Sequence, residues 1–227
     1  NRQENNMGPV DWFGRTMVAN LPKDYRVGVI NVSVAGAKIE LWQKDIYTNY
    51  LNSAASWMKN ICKQYEGNPY QRLVEMAKIA QKDGVIKGIL LHQGESNSSD
   101  TNWPAKVKGI YDNLMKDLDL NPKDVPLLAG ELKSQEEHGV CFRFNTNILA
   151  HLPEVLPNSH IISSKGVQGT PDQFHFNTAG MRELGKRYAI QMLKLEGIEF
   201  KEVDRPGLLP VPAPPAAAAS ITPPASA

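Results

Sequence analysis

Cysteine is nearly absent. Cys62 and Cys141 are the two in 227 residues, which implies neither a disulfide framework nor a zinc site and leaves the redox compartment open. Long apolar runs are missing too: no stretch approaches the length that crosses a bilayer, and no signal peptide stands at Asn1, although a mature secreted chain would look the same. Neither sign of charge is in excess, with 25 basic and 24 acidic side chains, and Lys and Arg are scattered rather than massed. Nucleic acid and membrane are therefore not expected as partners. What remains, 41% hydrophobic and 22% charged residues over this length, is the composition of a globular chain able to bury one substantial core.

The apolar pattern alternates between helix and strand. A short helix is expected over Asp11 to Asn20, capped by Asp11 or the residues before it and closed by Leu21-Pro22. Arg26 to Val34 (RVGVINVSV) is rich in β-branched residues and apolar on both faces, the mark of a strand buried in a parallel sheet. From Ile39 to Asn68 the pattern is irregular, with Trp42, Tyr47, Tyr50 and Trp57 spaced along it as loop anchors or as a sugar-stacking platform. Pro69 opens a helix whose stripe is Leu73, Met76, Ala77 and Ala80, and Gly84 ends it. A second strand is expected over Val85 to His92. Trp103-Pro104 then starts a helix with Val107, Ile110, Tyr111, Leu114 and Leu118 on its buried side. A third strand over Val125 to Gly130, a short helix around Asn145 to Leu152, a fourth strand over His160 to Ser163 and a helix from Thr178 to Leu195 complete the series. The last helix would bury Leu184, Tyr188 and Met192.

This alternation predicts an α/β fold: a three-layer α/β/α sandwich around a mainly parallel central sheet of the flavodoxin-like kind. From Pro206 to Ala227 the chain is proline and alanine with almost no charge, an extended spacer rather than part of a core. The expected division is a domain over 1–199 and a tail over 200–227.

Three polar stretches follow expected strands, at the carboxyl ends where open α/β sheets bind their ligands. In Asp172-Gln173-Phe174-His175-Phe176, just before the last helix, a carboxylate three residues ahead of a histidine can hold one imidazole nitrogen and leave the other free to take a proton. In Ala35-Gly36-Ala37 the glycine either leaves an amide open to a ligand or serves only the turn. In Gln93-Gly94-Glu95-Ser96-Asn97 the Gln93 amide can donate to a developing oxyanion without adding charge. Ser96 does not lie in a Gly-x-Ser-x-Gly elbow, and His92 and Glu95 lack the spacing of a zinc-protease helix.

VGVINVSVAGAKIELW, GILLHQGESN and DQFHFNTAGMRELGKRYA, in this order and separation, resemble conserved blocks of the SGNH hydrolases. The resemblance is to the sialate O-acetylesterase-like enzymes of carbohydrate esterase family 6, which include acetylxylan esterases, and it runs from about Gly8 to Leu195. It implies a secreted or cell-envelope serine esterase that removes acetyl groups from sugar hydroxyls without a metal or other cofactor. His175 would be the general base, Asp172 its orienting carboxylate, and Gly36 and Gln93 oxyanion donors; Glu95 and Asn97 would support the site, Glu95 by holding its loop.

The family's nucleophile lies in a Gly-Gln-Ser-Asn-Met block after a first strand, and no such block is present here. Glu4-Asn5-Asn6-Met7-Gly8 has asparagine where serine is needed, and neither Ser33, Ser96 nor Ser226 has the required strand-to-helix setting. Three explanations stand: a complementary N-terminal fragment supplies the serine, a permuted segment does, or the chain is catalytically dead. The rival from another class is a non-catalytic carbohydrate-binding or scaffold protein on the same fold.

Overall fold

A computed structural model of the chain describes residues 8–203. Leu127–Gly130 (β2) lies between Ile89–Leu91 (β1) and Ser159–Ile162 (β3), paired parallel to both in register Leu90 to Leu128 to His160. The apolar residues of β2 alternate between two cores, as the two-residue period of a strand requires. Leu128 faces a cluster built from Phe13, Met17, Leu184, Tyr188 and Met192, whereas Leu127 and Ala129 face one built from Tyr70, Val74, Val107, Tyr111 and Leu114. Pro9–Asn20 (α1) and Thr178–Leu195 (α8) cover the first face. Pro69–Ala80 (α4) and Trp103–Asp117 (α5) cover the second. The fold is therefore the expected α/β arrangement with a parallel sheet flanked by helices.

Helix starts follow their local chemistry. Proline occupies the first turn of α1, α4 and α5, where its missing N–H costs nothing. Asn68 and Asn177 cap α4 and α8, each side-chain oxygen accepting an amide three residues on. Asp11 does not cap α1. It sits within the first turn, where it bonds Arg15 at 3.0 Å, and Gly8 holds the cap position without a side-chain bond. The buried face of α4 runs through Tyr70, Val74 and Ala77, with Leu73 partly buried beside it.

Ile39 to Asn68 is more regular than its pattern suggests. It holds a 3-10 turn at Ile39–Trp42 and helices at Tyr47–Ser53 (α2) and Ser56–Lys63 (α3), over a small core of Val34, Ala37, Leu41, Met58, Cys62 and Tyr65. The expected helix near Asn145 breaks into Arg143–Asn147 (α6), a 3-10 turn and Leu152–Val155 (α7). Cys62 and Cys141 are both free thiols.

The strand expected over Arg26 to Val34 does not form. The segment carries no regular secondary structure and pairs with no strand, so among the described residues the sheet has three strands rather than four. Its side chains nonetheless split as those of an in-plane strand would. Val27 packs on the α1/α8 cluster together with Leu90, and Ile30 packs on the opposite cluster together with Ile89 and Leu91. A strand needs a neighbour on which to spend its backbone donors and acceptors. Among the described residues none lies along the outer edge of β1: the Ile89 amide bonds Pro126 of the β2 side at 2.9 Å, and alternation then turns the Leu90 amide to the open edge.

Ile198 and Phe200 still pack against the α1/α8 cluster, while the spacer from Pro206, Ser226 and the Glu4 to Met7 stretch lie outside the described residues. Among the described residues no helix is long and apolar enough to cross a membrane.

Tyr188 of α8 ties the sheet's active end together. Its hydroxyl donates to the Leu91 carbonyl at 2.6 Å and accepts the Gly130 amide, and burial pushes the phenol far above its usual range, so it stays a donor. Tyr188→Phe keeps the ring but strands that carbonyl. Urea unfolding is expected to show a loss of about 1–3 kcal/mol, and an unchanged midpoint contradicts this role.

Candidate functional site

The site assembles at the carboxyl ends of the three strands. After β1 the chain enters His92 to Asn97, whose side chains clamp the Gly36 turn. Ser96 Oγ donates to the Gly36 carbonyl at 2.8 Å, and Gln93 Nε2 donates to the Ala37 carbonyl at 3.1 Å and to Asn97 Oδ1 at 2.8 Å. Trp103 Nε1 fixes the other end of the Gln93 amide through a 2.6 Å bond to its oxygen. Gly36 has φ +67°, a backbone state that a side chain disfavours, and its own amide makes no hydrogen bond among the described residues.

Asn97 is the buried hub of this clamp. Its oxygen also accepts the Ile39 amide at 2.9 Å, and its nitrogen donates to Glu40 at 3.0 Å and Asp100 at 3.2 Å. Lys106 bonds both of those carboxylates at 2.6 Å. Partial burial raises the Glu40 and Asp100 pKa values, but the bonds from Lys106 and the neighbouring amides outweigh it, so both stay below the usual carboxylate range. The Glu95 carboxylate makes no hydrogen bond or ion pair among the described residues; what touches the loop is its carbonyl, approached by Cys141 Sγ at 3.9 Å. His92 faces Phe176 edge-on, its Nδ1 enclosed without a partner, and burial lowers its pKa.

After β3 the chain folds into a tight turn. Asp172 Oδ1 accepts the amides of Phe174 at 2.9 Å and His175 at 2.8 Å, and Oδ2 meets His175 Nδ1 at 2.8 Å. These bonds, the His175 amide foremost, hold the Asp172 carboxyl well below its usual range. An ionised carboxylate only accepts, so His175 Nδ1 carries the proton and Nε2 of the neutral ring is left as an acceptor. The imidazole is 71% exposed, and Asp172 is its hydrogen-bond partner among the described residues. Such a pair is not by itself diagnostic: His151 and Glu154 also meet at 2.8 Å, on the surface by α7. Position at the strand ends distinguishes Asp172 and His175.

The loop after β2 supplies what sequence reading missed. Lys133 is 3% exposed and donates through Nζ to the Thr170 carbonyl at 2.7 Å; Thr170 in turn bonds the His175 carbonyl through its amide at 2.9 Å and its hydroxyl at 3.1 Å. A Cβ on Gly169 would stand 2.1 Å from Lys133 Cε, so the lysine stem passes only because that residue is glycine. Glu137 accepts the Gly169 amide at 3.0 Å, and the Val140 amide donates to Gln173 at 3.2 Å. The β2 loop thus grips the histidine turn from three points and touches the Glu95 turn through Cys141. Gln93 and Asn97 are joined directly and reach the Gly36 turn through the Ala37 carbonyl, with Ser96 on the Gly36 carbonyl itself, and Asp172 and His175 are joined directly. The two groups meet through this loop, with no hydrogen bond from His175 to Gly36 or Gln93. No described serine bonds His175. Among the described residues no three His, Cys, Asp or Glu side chains come together as metal ligands.

A histidine held by a carboxylate thus follows β3, and an amide-rich turn follows β1. Residues 1–194 match the model of the family described as "carbohydrate esterase, sialic acid-specific acetylesterase". The chain belongs to that family. A crystallographic structure of an Arabidopsis thaliana protein is similar in fold, with a TM-score of 0.61 and 22% sequence identity over 80% of this chain. This chain spans 66% of that protein's length, just under two thirds.

Lys133→Met retains the buried stem and removes the donor. Carboxyl NMR is expected to show Asp172 of the unaltered chain still ionised below the pH at which ordinary carboxylates protonate, with stabilisation from its bonds present above that range and lost only as pH falls through the depressed value. In Lys133→Met the Asp172 midpoint is expected to rise towards the ordinary carboxylate range as the turn loosens; an unmoved midpoint contradicts the grip.

Proposed function

We propose that this chain carries the His-Asp half and the oxyanion turn of a carbohydrate O-acetylesterase working through a Ser-His-Asp acyl-enzyme on acetylated sugars of the xylan or sialate type. The observation that carries the reading is the bond between His175 Nδ1 and ionised Asp172, which leaves Nε2 free to accept a proton, in a chain of a carbohydrate esterase family. The first proton accepted comes from the serine hydroxyl as its oxygen attacks the acetyl carbonyl. The tetrahedral oxyanion takes the Gly36 amide and one Gln93 N–H; the Gln93 bond to Ala37, the longer of its two at 3.1 Å, is the one to exchange. Nε2–H then protonates the departing sugar oxygen, leaving acetyl-serine. Water, deprotonated by the same nitrogen, releases acetate. Asp172 balances the imidazolium charge at each stage.

The serine comes from outside this stretch, on a complementary N-terminal fragment or permuted segment. Two features support a strand as its carrier: the open outer edge of β1, and the unpaired Arg26 to Val34 segment whose side chains already divide between the sheet's two faces. One added strand would satisfy both sets of backbone groups and set its terminal serine beside the Gly36 and Gln93 turns. A secreted or cell-envelope setting accords with such substrates. The binder reading has no observation of its own in its favour.

In the complete enzyme, His175→Ala is expected to lower kcat for an aryl acetate by at least about 10⁴-fold with circular dichroism unchanged. Full activity in that variant overturns the proposal.

A further inference from the structure

Trp57 stands in the first turn of α3, a helix that sends Met58 and Cys62, one turn apart, into the small core beneath it. Trp57 is turned away from that core and is 51% exposed. Large aromatic surface left in water is unfavourable and marks contact sites when it adjoins a functional turn. This ring adjoins one: its Cη2 lies 3.2 Å from where a Cβ on Gly36 would stand, so the glycine leaves room for the indole over the turn. That turn is the one clamped by Ser96 and Gln93. Phe174, 45% exposed, lies in the histidine turn with its ring centroid 6.5 Å from that of His175. Exposed aromatic rings thus adjoin both halves of the site.

A pyranose ring has an apolar face of C–H groups and a polar rim of hydroxyls. An indole beside the unspent Gly36 amide matches both parts at once. We infer that Trp57 is a sugar-binding residue, stacking on the C–H face of the ring that bears the acetyl group and thereby holding the ester over the Gly36 turn. The inference takes its ligand class from the esterase reading, but binding requires only residues of this chain. Removing the indole therefore weakens carbohydrate affinity and raises KM for the acetylated sugar.

The test is a calorimetric titration of this chain and its Trp57→Ala and Trp57→Tyr variants with acetylated xylo-oligosaccharides, each variant checked by circular dichroism. Affinity is expected to fall about five- to tenfold in Trp57→Ala and to return in large part in Trp57→Tyr. In the complete enzyme, KM for the acetylated oligosaccharide should rise in step with the lost affinity. Unchanged affinity in Trp57→Ala, equal losses in both variants, or no binding by the unaltered chain overturns the inference. Binding by the unaltered chain with the expected loss in Trp57→Ala, but no hydrolysis of the same oligosaccharide by the complete enzyme, supports the inference and counts against the esterase reading alone.

Discussion

The parallel pairing of β2 with both its neighbours is the constraint on which the rest depends. Leu127, Leu128 and Ala129 are buried on alternate faces, so β2 cannot slip by one residue without exchanging the contents of two cores. Because all three strands run the same way, the turns that follow them emerge at one end. Tyr188 closes that end by bonding the ends of β1 and β2 at once. Residues that lie about eighty positions apart are thereby brought to neighbouring turns without any local signal requiring it.

Rigidity within the site is unevenly distributed. Gln93 and Asn97 are locked by bonds at both ends of their amides, and beneath them Lys106 bridges the Glu40 and Asp100 carboxylates in a cluster partly screened from water. His175 is different: it is exposed, and its orientation is set by Asp172 within the same turn and by the grip of Lys133, Glu137 and Val140 from the β2 loop. In the proposed mechanism, a base alternating between serine and water benefits from a fixed Nδ1 and an open Nε2.

Much of this was legible in the residue order, for reasons specific to each element. The α4 start was readable because Pro69, in its first turn, is a local signal. The strands β1, β2 and β3 were readable as short apolar runs; β1 and β2 proved shorter than their runs, and β3 is offset by one residue, Ser159–Ile162 rather than His160 to Ser163. Asp172 and His175 were readable because their contact is local. Arg26 to Val34 misled because β-branched composition reports fitness for a sheet, while pairing requires a neighbour elsewhere in the chain. Lys133 was invisible: a lysine in a polar stretch reads as solvated, and its acceptor is 37 positions away. The glycines at 139 and 169, against both of which its side chain or backbone packs, were the one hint.

The central claim is spatial, that a serine outside this stretch meets the free nitrogen of His175 above the Gly36 turn. It is tested most directly by a crystal structure of the complete enzyme inactivated with a fluorophosphonate. The account predicts a phosphonylated serine at the end of a strand paired with the outer edge of β1, its oxygen within about 3 Å of His175 Nε2 and the phosphonyl oxygen facing the Gly36 amide. A labelled serine on any other element, or one out of reach of His175, contradicts it.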